Sequence, residues 1–170
     1  MGTPHTGLYV IMGVAGSGKS LVGAMLGRAL DIMFVDGDDL HPQENVKRMA
    51  AGIPLTDEDR HGWLLAIAAR LQFAKQAGIG LVVACSALKR RYRDLLRAKG
   101  DAGARFVFLQ GSQTLLAERL GRRRGHFMPP ALLESQLRTL EIPSPDEGAW
   151  VVDIRQTPDA IVADLMRRAA

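Results

Sequence analysis

Cysteine is almost missing from this chain: among 170 residues only Cys85 occurs, which excludes an internal disulfide and a cysteine-built metal site. It closes an apolar run, so a buried, inert thiol is expected there rather than a nucleophile. Aromatic residues make up only 5%, too few to interleave with cations as a base-stacking surface requires. No apolar segment approaches the roughly 20 residues that cross a bilayer. No charged-then-apolar leader opens the chain, and there is no internal repeat, low-complexity tract or linker. These shortages lead to the expectation of one cytoplasmic domain over residues 1–170, with neither membrane nor nucleic acid as a partner.

What is present is ordinary in bulk and unusual in one place. Hydrophobic residues reach 47% and charged residues 24%, a normal balance for a globular domain. The net charge of +4 suits a protein that handles anions, yet its basic clusters, Lys89-Arg90-Arg91 and Arg122-Arg123-Arg124, are short and far apart. The unusual place is Gly13-Val14-Ala15-Gly16-Ser17-Gly18-Lys19-Ser20, which fits the phosphate-loop pattern G-x-x-x-x-G-K-[ST]. Such a loop turns main-chain N–H groups around nucleotide phosphates, and glycine lets the backbone approach them. Lys19 is positioned to reach the β- and γ-phosphates, and the Ser20 hydroxyl to hold Mg²⁺. Leu8 to Met12 reads as a buried strand just before the loop; Leu21, Val22, Met25, Leu26 and Leu30 recur at helical spacing after it.

The same alternation continues to the end of the chain. Short apolar runs at Ile32–Val35, Leu81–Cys85, Arg105–Leu109 and Trp150–Ile154 are separated by helical patterns. Thr56, Ser86, Ser112 and Thr157 read as helix caps, and Gly78 as a helix stop. Each run reads as a buried strand, which predicts a parallel sheet covered by helices on both faces. Ligands of such sheets lie beyond the carboxyl ends of the strands.

The residues at those ends suggest phosphoryl chemistry. Asp36 and Asp38 follow the second strand with one glycine between them, so they point differently and have different jobs. Asp36 is assigned to the Mg²⁺ shell, through water, and Asp38 to the attacking hydroxyl as base or orienter. No acid ends the third strand, which makes Asp36 the better metal candidate and argues against a motor-like ATPase. Arg60 sits in the first turn of a helix, where a cation is misplaced against the dipole. That suggests a bound carboxylate or polyol, with an ion pair to Asp57 or Asp59 as the alternative. Glycine-flanked residues at about 121–130 read as a mobile lid, from which Arg123 or Arg124 would reach the γ-phosphate.

Longer blocks carry a family resemblance. Asp36-Gly37-Asp38-Asp39-Leu40-His41-Pro42, Gly52 through Arg60, Trp63-Leu64, Cys85-Ser86-Ala87-Leu88-Lys89, Tyr92 through Arg97 and Gly125-His126-Phe127-Met128 resemble the gluconokinases, of the thermoresistant type. The resemblance covers nearly the whole chain. It implies transfer of a phosphoryl group from ATP to D-gluconate, with Mg²⁺, and commonly a homodimer. It implies an α/β, three-layer P-loop kinase fold with five parallel strands in the order 2-3-1-4-5, and a substrate-binding segment at about 36–62. By similarity to shikimate kinases, Asp36 matches a metal-side acid, Asp38 a substrate-side acid and Arg60 a substrate-binding arginine. Arg119 would stack on adenine, with Gln156 nearby. His41, Arg60, Lys89, His126 and Gln136 would bind the remaining hydroxyls and the carboxylate. Histidine and phenylalanine replace Arg-Pro in the lid, which disfavours shikimate and favours an open-chain polyol acid. The rivals are a kinase for another small acceptor, a nucleotide-gated switch and an RNA-binding module.

Overall fold

The computed structural model describes residues 5–123 and 129–170. Five parallel strands form one sheet in the order β2-β3-β1-β4-β5. They are β1 (Leu8–Met12), β2 (Met33–Asp36), β3 (Leu81–Ala84), β4 (Arg105–Gln110) and β5 (Trp150–Asp153). Strand β1 lies in the middle, with Val10 level with Val83 on one side and with Phe106 on the other. Helices α1 (Lys19–Leu30) and α7 (Pro158–Ala169) pack together on the sheet, as do α3 (Asp57–Ala77) and α4 (Arg90–Lys99). The remaining helices are α2 (Gln43–Ala50), α5 (Gln113–Gly121) and α6 (Pro130–Thr139). Among the described residues no helix is long and apolar enough to cross a membrane.

The helix boundaries have local causes. Thr56 and Asp59 form a reciprocal capping box at the start of α3, with bonds of 3.1 and 2.9 Å, satisfying two otherwise orphaned amides. Gly78 ends that helix in the left-handed conformation at φ 66°. Between them Leu64, Ile67, Leu71 and Ala74 are buried along one stripe, so Leu71→Ala should cost about 2–5 kcal/mol. Ser112 and Thr157 cap α5 and α7 as their sequences predict.

Two expectations need correction. Apolar runs do signal burial in β1, β3 and β4, but β2 and β5 are edge strands, with Met33 54% and Val151 45% exposed. An edge strand has one neighbour and only partial cover, whatever its composition. Ser86 does not cap a helix either: α4 begins only at Arg90. Residues 85–88 instead form a turn in which Ala87 takes φ 44° and the Ser86 carbonyl accepts the Gly13 N–H at 3.3 Å. The buried Arg93 guanidinium holds that turn, donating to Ala87 O and Leu88 O at 2.9 and 3.1 Å. Its charge is met by Glu147 at 2.6 Å, a pair almost fully excluded from water.

Candidate active site

The phosphate loop follows β1 directly and ends in α1. Gly13 and Gly18 have φ of 148° and 95°, a region in which L side chains are strained. The cap position of α1 is Gly18, which has no side chain to satisfy the first-turn amides. Those N–H groups and the positive end of the helix are therefore available to phosphate oxygens. Lys19 lies partly buried among them, its Nζ donating to Val14 O at 3.1 Å. Burial holds its pKa below the ordinary lysine value, and the nearby Asp38 carboxylate works in the opposite direction.

The short turn Gly37–Leu40 follows β2. Asp36 faces the loop and accepts the Ser20 hydroxyl at 2.5 Å, while its other oxygen accepts the Asp38 N–H at 3.0 Å. Ser20 and Asp36 thus bring two hard oxygens together beside the phosphate cradle. That donor set fits Mg²⁺, which keeps most of its shell as water and phosphate. Asp38 points elsewhere, into a cleft of about 410 Å³ that it shares with Lys19, His41, Arg60, Ser86, Arg123 and Gln136. Surrounding protein atoms raise the Asp38 pKa, an effect that Lys19 partly offsets.

Across from the loop, α2 and α3 build a wall of side chains. The His41 imidazole stacks on Trp63, with centroids 4.1 Å apart and planes 14° from parallel. Trp63 is pinned from behind, its Nε1 donating to Gly37 O at 2.7 Å. A Cβ on Gly37 would overlap the Ala84 carbonyl oxygen, so only glycine lets this turn lie on β3. Arg60 and Trp63, three residues apart, share one face of α3. The Arg60 guanidinium donates to the Tyr92 hydroxyl at 3.0 Å, and the ion-pair alternative to Asp57 or Asp59 is not what the structure contains. Asp57 instead takes Lys89, Arg91 and the Tyr92 hydroxyl.

The other predicted site residues divide into three groups. Lys89 is held by Asp57 at 3.0 Å and is not part of the cleft lining. Gln136 on α6 reaches the phosphate loop, its Oε1 accepting the Ala15 N–H at 2.7 Å. Arg119 and Gln156 meet at the turn after β5, donating to Ile154 O at 2.5 Å and Asp153 O at 3.3 Å. Arg124 and His126, with residues 124–128 of the expected lid, lie outside the described residues. Asn45, Trp63 and Tyr92 organise the acceptor wall but were given no role from sequence. The i,i+3 and i,i+4 spacings of Arg60 with Trp63 and His41 with Asn45 were the available signal.

A main-chain phosphate cradle beside β1, faced across one cleft by a carboxylate, an imidazole and a guanidinium, defines a P-loop kinase for a small acceptor. Known proteins narrow the class. The shikimate kinase family model matches residues 15–166. A gluconokinase of Gluconobacter oxydans is 47% identical over 93% of this chain and 88% of its own length. The thermosensitive gluconokinase of Escherichia coli is 47% identical over 82% of this chain and 74% of its own. A crystal structure of a gluconokinase from Sinorhizobium meliloti superposes with a TM-score of 0.87 at 48% identity, covering 98% of this chain and 95% of that one. This chain belongs to the gluconokinase family.

Proposed function

We propose that this protein transfers the γ-phosphoryl group of ATP to the primary hydroxyl of D-gluconate, giving 6-phosphogluconate and ADP. One observation carries the reading: Lys19 of the phosphate loop and Asp38, His41 and Arg60 of the opposite wall line the same cleft. Lys19 and the loop amides toward the start of α1 grip the phosphates, the Gly13 and Ala15 N–H groups being engaged by Ser86 O and Gln136 Oε1. Ser20, and Asp36 by way of water, would hold Mg²⁺, which when bound would supply positive charge to the phosphate oxygens. Asp38 accepts the hydrogen bond of the gluconate hydroxyl and aims its oxygen at phosphorus. As that P–O bond forms and the bond to ADP breaks, the hydroxyl proton passes to Asp38, whose raised pKa suits it as acceptor. Arg60 takes the carboxylate, and His41 with Gln136 the remaining hydroxyls. Arg123, which also lines the cleft, balances charge on the transferring group, and Arg119 with Gln156 flank the adenine.

Because phosphoryl transfer is mainly alignment and charge stabilisation, the cradle contributes more to rate than the basicity of Asp38 does. The reading extends to a cytoplasmic homodimer, which rests on the family resemblance and is tested by sedimentation of the purified protein. The decisive assay is ADP formation with gluconate, other sugar acids, shikimate and nucleoside monophosphates. Gluconate should exceed the rest by orders of magnitude; a comparable rate with shikimate or a monophosphate overturns the assignment.

A further inference from the structure

The acceptor wall holds a hydrogen-bond chain whose direction is forced by valence. Asn45, in the first turn of α2 and 3% exposed, places its Nδ2 2.8 Å from Asp59 O and 3.2 Å from His41 Nδ1. A main-chain carbonyl can only accept, so the atom facing Asp59 must be the amide nitrogen and not the oxygen. That nitrogen carries a second hydrogen and can accept nothing, so its 3.2 Å contact with His41 Nδ1 must be a donation to the ring. The ring nitrogen therefore accepts and carries no proton. Stacking on Trp63, itself tied to Gly37 O, opposes the half-turn of the ring that would put carbon Cδ2 where Nδ1 now faces Asn45. With Nδ1 bare, the proton of the neutral imidazole sits on Nε2. Among the described residues nothing pairs with Nε2, and His41 lines the cleft near Arg60.

We propose that Asn45 is a positioning residue that holds His41 as the Nε2–H tautomer, so that the cleft offers the sugar acid an uncharged N–H donor beside the charged Arg60. This rests on the acceptor-site reading given above. The division of labour suits a polyol with a single carboxylate: the guanidinium meets the anion, and the imidazole donates to a hydroxyl oxygen. An imidazolium here would be a second cation and would favour dianionic acceptors instead. Burial and the positive charge of Arg60 push the His41 pKa down to about 4, in keeping with a ring that stays neutral.

The test combines long-range ¹H–¹⁵N NMR of the His41 ring with gluconate kinetics. In the unaltered protein near neutral pH, His41 should show a bare Nδ1 and a protonated Nε2; a protonated Nδ1, or averaging between tautomers, overturns the proposal without any variant. In Asn45→Asp the carboxylate should draw a proton onto Nδ1, and Asn45→Ala should release the ring to average. Both should raise KM for gluconate about three- to tenfold, the loss of about one hydrogen bond, with KM for ATP and kcat nearly unchanged. A purely structural Asn45 would lower the melting temperature and leave the tautomer as it was, which rejects the lock. A changed tautomer with unchanged gluconate KM removes His41 from the acceptor site while the tautomer assignment stands, so failure of the lock and failure of the site reading give different results.

Discussion

In the proposed function the two walls of the cleft would recognise their ligands by different means. The phosphate wall is main chain: amides of the loop after β1, opened by glycines at positive φ and joined by one lysine. The acceptor wall is side chain: Asp38, His41 and Arg60, with His41 held by Asn45 and Trp63 and Arg60 by Tyr92, all from other elements. A main-chain wall depends on the conformation of one continuous stretch. A side-chain wall depends on several segments meeting, because its geometry belongs to Trp63, Asn45, Tyr92 and Gly37 as much as to the groups that face the cleft.

That contrast can be tested by removing one component at a time. Lys19→Met should have the largest effect, lowering kcat about 10³-fold or more for every acceptor, since it removes a cation from the transferring phosphates. Asp38→Asn should lower kcat about 10²-fold while ATP binding, followed by calorimetry, stays close to normal. Equal activity in that variant would take Asp38 out of the mechanism. Arg60→Met should raise KM for gluconate about 10- to 100-fold, as loss of a charged hydrogen bond does, with little change for ATP. If Arg60→Met weakened ATP as much as gluconate, the two walls would not be separate.

The remaining expected effects fall on stability rather than turnover and concern the support behind the phosphate wall. Arg93 and Glu147 brace the Ser86–Leu88 turn, which touches the phosphate loop at Gly13. Breaking such a buried pair with Arg93→Met should destabilise the fold by about 3–5 kcal/mol, read by urea unfolding. Glu147 is held down to about 2, first by its hydrogen bond to Arg93, so the folded state binds fewer protons than the unfolded state below the ordinary glutamate value. Its contribution is complete above about pH 4.5 and is lost as the pH falls toward 2. Glu147→Gln should flatten that acid limb of the melting curve; an unaltered limb would assign acid sensitivity to other carboxylates.

Much of the fold is legible in the residues. The β1–loop–α1 unit is local, so glycine positions and apolar spacing carry it, and the Thr56 capping box lies within four residues. The exposure of β2 and β5 is not legible in that way, because apolar composition does not say which strands will have a neighbour on one side only. Ser86 illustrates the same limit. Beside a helical pattern it looks like a cap, but the turn around it follows from Arg93 and Glu147, 54 residues apart. Lys89 has the charge a carboxylate ligand would want, yet Asp57 from another helix engages it.

The chain alone determined the glycine-rich loop at the start of α1, since both the φ demands and the helix end reside in eight consecutive residues. It also determined the alternation of strands and helices that makes the sheet parallel. Only the tertiary structure decided which cations remain in the cleft, that Arg60 lies against Tyr92 rather than Asp57, and that Asn45 governs the His41 proton. Those outcomes depend on distances between groups remote along the chain, and a hydrogen bond exists only where folding has brought donor and acceptor within about 3 Å.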